Sequence, residues 1–349
     1  MLDQLRVPIV QAPMAGGPST PELAAAVSEA GGLGFVAAGY KPAATVAEEL
    51  AATRALTGAP VGVNVFAPGA IAGDPAAADA FAATLHDEAK RAGVALGAPR
   101  HDDDAFAEKV DLLVADPVAV VSFTFGLPGR DAVERLHAAG SAVWLTVTDA
   151  DEARAAVEAG ADALVVQGSE AGGHRGTFTD GPDARDLTLL AALQLVGAAV
   201  DVPLVATGGI ATGRAVAAVL AAGAAAAAVG SAFLRCPEAA TSLAHRAALA
   251  DGAAPTRLTR AFTGRRARGI ANRWMAAHEA QAPVAYPDVH YVTAPVRAAA
   301  RRAGDPDAIN LWAGEAYALA QERPAAEVVA TLDGDARAAL AAAHGRWAR

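Results

Sequence analysis

Between residues 7 and 250 the chain repeats one beat, a short run apolar on both faces followed by a helical stretch. The apolar runs are 7–14, 34–37, 61–66, 119–124, 142–147, 163–166, 202–207 and 225–229. Helices are expected over 23–30, 43–56, 76–92 with a further piece at 105–114, 131–139, 150–159, 187–200, 212–222 and 237–250. Thr20 before Pro21 supplies an N-cap followed by proline at the first helical position. Strands apolar on both faces that alternate with helices form a parallel sheet covered on both sides. Eight such units predict an α/β fold, a closed (β/α)8 TIM barrel rather than an open doubly wound sheet.

Beyond residue 255 the rhythm changes. Residues 256–263 are strand-like, the cluster Arg265-Arg266-Ala-Arg268 follows, and 294–303, 310–321 and 325–331 read as helical. No low-complexity linker separates this part from the rest. The expected division is therefore a barrel over 1–254 and a mainly helical C-terminal extension over 255–349. The extension would pack over the active-site side and would not be an independent domain. Trp312 and Tyr317 are assigned to packing within it.

Composition removes several function classes. With 53% hydrophobic residues and 19% charged, the chain can bury a large core and is not disordered. A formal net charge of −10 argues against a nucleic-acid or anionic-membrane surface. The longest uncharged stretch, 215–234, is mostly alanine and is split by Gly223 and Gly230 into a helix and a strand, so no membrane span is expected. One cysteine, Cys236, excludes an internal disulfide and suits a reducing interior; packing is its expected role. The first residues, Met1-Leu-Asp3-Gln-Leu-Arg6, lack a basic and then apolar leader, so the expected location is cytoplasmic.

In a barrel, functional groups collect in the loops that follow the strands. The loop after the sixth run, Gln167-Gly-Ser-Glu-Ala-Gly172-Gly173-His174-Arg-Gly176, carries four glycines, one carboxylate and one histidine. Glycine that dense lets backbone approach a ligand closely. Two further loops, Thr207-Gly208-Gly209 and Val229-Gly230-Ser231, present bare amides after the seventh and eighth strands, where barrels most often seat a phosphate. The side-chain amides of Asn64 and Gln167 donate and accept at once, which suits a heterocycle with alternating N–H and C=O. A phosphate seat, two amides, an Ala12-Pro13-Met14 edge and almost no charged pocket residue suit flavin mononucleotide (FMN) better than a sugar phosphate. His174 is then the one titratable group at the reactive face, either a general base or a cationic partner for an anion.

Other signals carry less. No dinucleotide-binding glycine motif, nucleophile elbow or Walker sequence is present, and His278-Glu279 lacks the second histidine of a zinc motif. His101-Asp102-Asp103-Asp104 reads as a solvated loop. The arginines at 265–268 either neutralise the phosphate end or pair with surface acids, the second being favoured.

At this point the sequence resembles the nitronate monooxygenase family, formerly called 2-nitropropane dioxygenases. The likeness rests on Gln11-Ala-Pro-Met-Ala-Gly-Gly17, Gly62-Val-Asn64-Val-Phe66, Val121-Ser-Phe-Thr-Phe-Gly126 and the loop from Gln167 to Gly176. It extends through Phe262-Thr-Gly-Arg-Arg-Ala-Arg268-Gly, Tyr286-Pro287, Thr293-Ala-Pro-Val-Arg297 and Leu311-Trp-Ala-Gly314. The resemblance implies an FMN-bound (β/α)8 barrel that oxidises alkyl nitronates with O2 to a carbonyl compound and nitrite, without NAD(P)H. It implies that Ala12, Pro13 and Met14 border the flavin ring, and that Asn64 and Gln167 bind the cofactor. Gly172 and Gly173 would approach it, Gly208, Gly209, Gly230 and Ser231 would hold its phosphate, and His174 would be the catalytic base. The implied partners are a small nitronate, such as propionate 3-nitronate, and O2; a homodimer is compatible with this reading. The chain departs from the family at Ala228, where relatives often carry glutamine, which removes one cofactor contact.

Three rival readings stand beside this one. The same barrel and histidine loop resemble FMN-dependent enoyl-acyl-carrier-protein and quinone reductases, which take hydride from a nicotinamide. A flavin-free barrel acting on a phosphorylated metabolite is the second. A non-catalytic scaffold is the third, and it has no need of this glycine and histidine placement.

Overall fold

The computed structural model describes residues 1–69, 75–181 and 184–348. Its strands are β1 (Ile9–Gln11), β2 (Gly34–Ala37), β3 (Val61–Phe66), β4 (Val120–Thr124), β5 (Ala142–Val147) and β6 (Ala163–Gln167), then β7 (Gly173–His174), β8 (Leu204–Thr207), β9 (Ala226–Val229), β10 (Thr256–Thr259) and β11 (Ala267–Ile270). Eight of these pair in parallel in the order β1-β9-β8-β6-β5-β4-β3-β2. The two ends meet through Leu33, whose amide donates to Ile9 O at 3.0 Å and whose carbonyl accepts from Gln11 N at 2.9 Å. The sheet is thereby nearly closed, and each of the eight expected apolar runs contributes one strand. The first run yields only three paired residues, because Pro8 and Pro13 cannot donate to a ladder.

The barrel interior is filled by Phe35 and Trp144, whose ring centroids lie 6.0 Å apart. Ala163, Ala226 and Ala228 make room for them beside Val10, Leu33, Val120 and Val205. A Cβ on Gly62 would stand 2.4 Å from the Phe35 ring. Two large rings among alanines and branched aliphatic residues fill the taper of an eight-stranded barrel. Outside the strands, a second apolar layer joins them to the helices. Thr20 caps the first ring helix, Pro21–Glu29, by accepting from Leu23 N at 3.0 Å.

Several expected boundaries move. The helix expected over 76–92 breaks at Leu85 into Pro75–Thr84 and His86–Ala92. The helix expected over 237–250 is Leu243–Asp251, and it does not complete the helical ring. That place belongs to Ala325–Trp347, far longer than the seven residues expected, which packs against Gly213–Ala221 and Pro21–Glu29. Its Val328, Val329 and Leu332 are buried in the same core as the barrel strands. The segment between β9 and this helix is therefore an excursion from the barrel that returns to close it.

Within the excursion, the helix expected over 294–303 begins earlier, as Asp288–Ala303, and runs through Pro295. The ladder disturbed by proline is steadied from outside by Gly97, whose amide donates to Val292 O at 3.0 Å. Residues 310–321 are not a helix. The chain at 312–314 is spent alongside β11, with Trp312 bridged to Gly269 and Ala313 N donating to Arg268 O at 3.3 Å. Only Tyr317–Leu319 forms a short 3-10 turn. No helix among the described residues is long and apolar enough to cross a membrane.

Candidate active site

A cavity of about 330 Å³ opens at the carboxyl ends of the barrel strands. Its floor is the top of the interior layer, Val10, Phe35, Trp144 and Val165. Ala12, Pro13, Met14, Asn64, Gln167, Gly172, Gly173, His174, Gly208, Gly209, Gly230 and Ser231 all border it. Every residue singled out from sequence for a site thus faces one space, as expected when each follows a strand of one barrel.

One end is built from the loops after β8 and β9. Gly208 and Gly209 have φ of +123° and +66°, conformations that side-chain-bearing residues rarely adopt. A Cβ on Gly209 would stand 3.1 Å from Glu170 Cβ. Among the described residues, no protein acceptor takes the amide hydrogens of Gly208, Gly209, Gly230 or Ser231. Amides turned to a cavity in this way form an anion seat of the kind that holds a phosphate. The Ser231 hydroxyl accepts from Gly314 N at 2.9 Å, which ties this end to the C-terminal excursion.

His174 stands at the other side, held by three elements. It belongs to β7, which pairs antiparallel with β11 through Ala267 opposite His174 and Arg268 opposite Gly173. Its carbonyl accepts from Gln167 Nε2 at 3.0 Å, and its Nε2 lies 2.9 Å from Thr263 Oγ1. The rings of Phe125, Tyr286 and Trp312 surround it at 5.6 to 5.7 Å between centroids. The imidazole borders the cavity rather than open solvent. Burial first, then the positive charges of Arg265 and Arg297, push its pKa down to about 3. It is therefore neutral at pH 7. Of the two roles left open by the sequence, a proton acceptor fits and a standing cation does not.

The two amides are more committed than a free ligand contact requires. Gln167 Oε1 accepts from Arg175 Nη1 and Gly176 N, both at 2.8 Å, so both ends of its amide hold the histidine loop. Asn64 Nδ2 donates to Ser122 Oγ at 2.9 Å and Thr124 Oγ1 at 3.1 Å across the β3–β4 ladder. Ala228, where the family often has glutamine, borders the cavity and offers its carbonyl to the Thr207 hydroxyl at 3.0 Å.

Other walls come from residues that sequence reading left aside. Trp312, expected only to pack, borders the cavity edge-on to His174. Tyr317 does pack: it is buried and donates to Ala254 O at 2.6 Å. Tyr40, Phe66, Phe125, Thr263, His290 and Arg297 also line the space. Tyr40 lies stacked on His290 at 4.2 Å with an angle of 4° between rings.

The expected solvated loop at 101–104 is partly structural. Asp104 accepts from Tyr40 N at 2.8 Å and from the buried Lys109 at 2.6 Å. The arginine cluster does pair with surface acids, Glu315 and Asp186, and also with one acid inside the fold, Asp180. Arg266 reaches the buried Asp180 at 2.7 Å and Arg268 reaches Glu315 at 3.1 Å. Arg265 is fully buried over the Phe125 ring at 4.1 Å and donates to the carbonyls of Arg175 and Thr177. Cys236 is buried, and burial raises its thiol to about 12, as packing requires and a reactive thiolate does not.

Comparison with known proteins points one way. The chain is 40% identical over 344 residues to the nitronate monooxygenase of Pseudomonas aeruginosa, covering 94% of this chain and 95% of that protein. Its structure resembles nitroalkane oxidase from Streptomyces ansochromogenes with a TM-score of 0.95 and 49% identity, over 97% of this chain and 98% of that one. FabK from Thermotoga maritima shares the fold at a TM-score of 0.77 and 25% identity, over 99% and 97% of the two chains. The nitronate monooxygenase family model matches residues 1–335, which takes in β1, the histidine loop, the amide seat and the first half of the closing helix. Barrel, cavity and relatives agree, and the chain belongs to the nitronate monooxygenase family of flavin-dependent oxidoreductases.

Proposed function

We propose that this enzyme binds FMN and oxidises small alkyl nitronates of the propionate 3-nitronate type with O2, giving a carbonyl compound and nitrite. The observation that carries the reading is the pairing of a neutral, desolvated His174 with unbonded amides at Gly208, Gly209, Gly230 and Ser231 across one cavity. Those amides fit the phosphate of FMN, and Ala12, Pro13, Met14 and Gly172 give a flavin ring an uncharged border. When bound, FMN supplies electron acceptance from the nitronate and reaction with O2.

The protein's own contribution is to hold, orient and keep dry. Phe66, Phe125 and Trp312 make an aromatic wall that excludes water around His174. We assign the tautomer in which His174 Nε2 carries the hydrogen toward Thr263, whose hydroxyl has Arg265 O as an acceptor at 3.2 Å; the lone pair is then on Nδ1. That lone pair accepts the α-proton when a neutral nitroalkane is offered; a nitronate arrives without one. Gln167 fixes the backbone of the base and is a positioning residue as much as a cofactor contact.

The test is an absorbance spectrum of the purified protein, then oxygen uptake with propionate 3-nitronate and assay of nitrite. A yellow protein that consumes O2 and releases nitrite is expected, with His174→Asn still yellow but slower by about 100-fold. Colourless protein that FMN does not reconstitute would sink the reading. Rapid anaerobic bleaching by NADH would move the enzyme to the nicotinamide-using reductases, and unaltered turnover in His174→Asn would remove the base.

A further inference from the structure

Arg297 and Arg301 lie four residues apart on the helix Asp288–Ala303 and share one face. Both border the cavity. Both guanidinium groups also reach one neutral atom, Asn310 Oδ1, at 3.4 and 2.9 Å. Arg297 is 4% exposed, and its other partners are equally neutral: Thr293 Oγ1 at 3.0 Å, His290 O at 2.8 Å and His290 Nδ1 at 3.3 Å. Among the described residues, neither arginine has a carboxylate oxygen within 4.0 Å.

This is unusual within the molecule itself. Arg175 has Asp186 at 3.5 Å, Arg266 has Asp180 and Arg268 has Glu315. Arg265, which also lacks a carboxylate, has two backbone carbonyls and an aromatic face, and it does not border this cavity. A buried cation without a counter-charge is costly, and a like charge one helical turn away adds to the cost. Burial and Arg301 lower Arg297 to about 10, so it stays charged at pH 7. The same cavity is bordered by His245, whose Nε2 is buried and unbonded. Its ring has a favourable contact with the Trp312 backbone but is held near 4 by burial, so it is neutral.

We propose that Arg297 and Arg301 form an anion subsite that takes a carboxylate carried on the substrate's carbon chain, separate from the reacting nitronate group. The proposal rests on the nitronate reading above. A guanidinium presents paired donors that match a carboxylate, and the second cation one turn away supplies the remaining attraction. Arg297 is bonded to His290 and its charge acts on His174, whereas among the described residues no hydrogen bond ties either arginine to the amide seat after β8 and β9; the pair is therefore assigned to substrate rather than to cofactor.

The test compares propionate 3-nitronate with propyl 1-nitronate, which lacks the carboxylate, in the wild-type holoenzyme and in Arg297→Gln, Arg297→Lys and Arg301→Gln. Wild type is expected to favour the carboxylated nitronate by at least about tenfold in kcat/KM. Arg297→Gln should lose about 30-fold or more on it but less than about threefold on propyl 1-nitronate, with flavin content unchanged. Arg301→Gln, on the exposed cation, should lose about fivefold, and Arg297→Lys should keep part of the preference. Equal losses on both nitronates, or a loss of flavin in step with activity, overturn the subsite. Should Arg297→Gln fail to fold, the Arg301 and lysine variants decide it by the same ratio.

A binding arm separates this proposal from the reaction assigned above. Calorimetry with 3-nitropropionate and with 1-nitropropane should show the anion bound more tightly, and the difference should shrink in Arg301→Gln. If neither nitronate is turned over while that difference persists, the reaction is wrong and the subsite stands. If turnover is normal with no preference for the anion, the subsite is wrong and the reaction stands.

Discussion

His174, His245 and His290 are each pulled below the ordinary histidine value of 6.5, to about 3, 4 and 2, with burial the largest cause each time. A histidine with a depressed folded pKa binds fewer protons folded than unfolded in the interval between the two values. Acidification through that interval therefore favours the unfolded chain. Above pH 6.5 the three contribute nothing, and below it each removes up to about 1.4 kcal/mol per pH unit. Asp104 and Glu152, which burial holds above the usual carboxylate range, act in the opposite sense at lower pH. The stability measured by urea unfolding should accordingly be flat above about pH 6.5 and fall steadily from there to pH 5, and His245→Gln should flatten that slope. A midpoint independent of pH over this range would show that the imidazoles are hydrated in the folded protein. His174 could be picked out in the sequence because it follows a strand among glycines. His245 and His290 could not, since only the folded excursion brings them to the cavity.

The element that places the base is the small sheet of β10, β11 and β7, built from segments far apart in sequence. β7 is two residues, Gly173 and His174, and no alternation of side chains announces it. β11 was hidden inside what reads as a basic surface cluster, because the burial of those arginines depends on Asp180 and on carbonyls supplied by distant loops. The barrel strands, by contrast, each announce themselves as apolar runs, so they were legible almost to the residue.

Gly172 is where the small sheet meets the rest of the site. A Cβ there would lie 2.5 Å from Ala313 C and Gly314 N, which are backbone atoms that cannot rotate away. Gly172→Val should push the 312–314 segment off the loop, breaking the Gly314–Ser231 hydrogen bond at the amide seat and displacing Trp312 from His174. The expected result is a folded barrel whose flavin affinity falls at least about tenfold, or about 1.4 kcal/mol. Flavin retention through dialysis measures it. Unchanged retention would mean that the excursion does not hold the seat in shape.

At the scale of the whole chain, the last helix decides whether the barrel closes. Ala325–Trp347 occupies the gap between Gly213–Ala221 and Pro21–Glu29, and it does so at very close range. A Cβ on Gly213 would meet Leu332 O and Ala336 N at 2.6 Å. The sequence shows a glycine at a helix start and a helix of ordinary look some 110 residues later; nothing local says that one is the docking point for the other. Val328, Val329 and Leu332 each bury apolar surface worth about 1.5–3 kcal/mol, and their partners Val216 and Val219 would be uncovered with them. Against a typical total stability of about 5–15 kcal/mol, removing the helix should leave no stable barrel. A chain ending at Pro324 should therefore be insoluble or lose its cooperative melt. A chain ending at Ala338 keeps the buried contacts and drops mostly exposed residues, so it should melt within a few degrees of full length. Gly213→Leu reports on the same contact without shortening the chain, and it should lower the melting temperature as far as a core substitution does. A cooperative melt at the native temperature for the chain ending at Pro324 would show that the eight strands hold their closure without this helix.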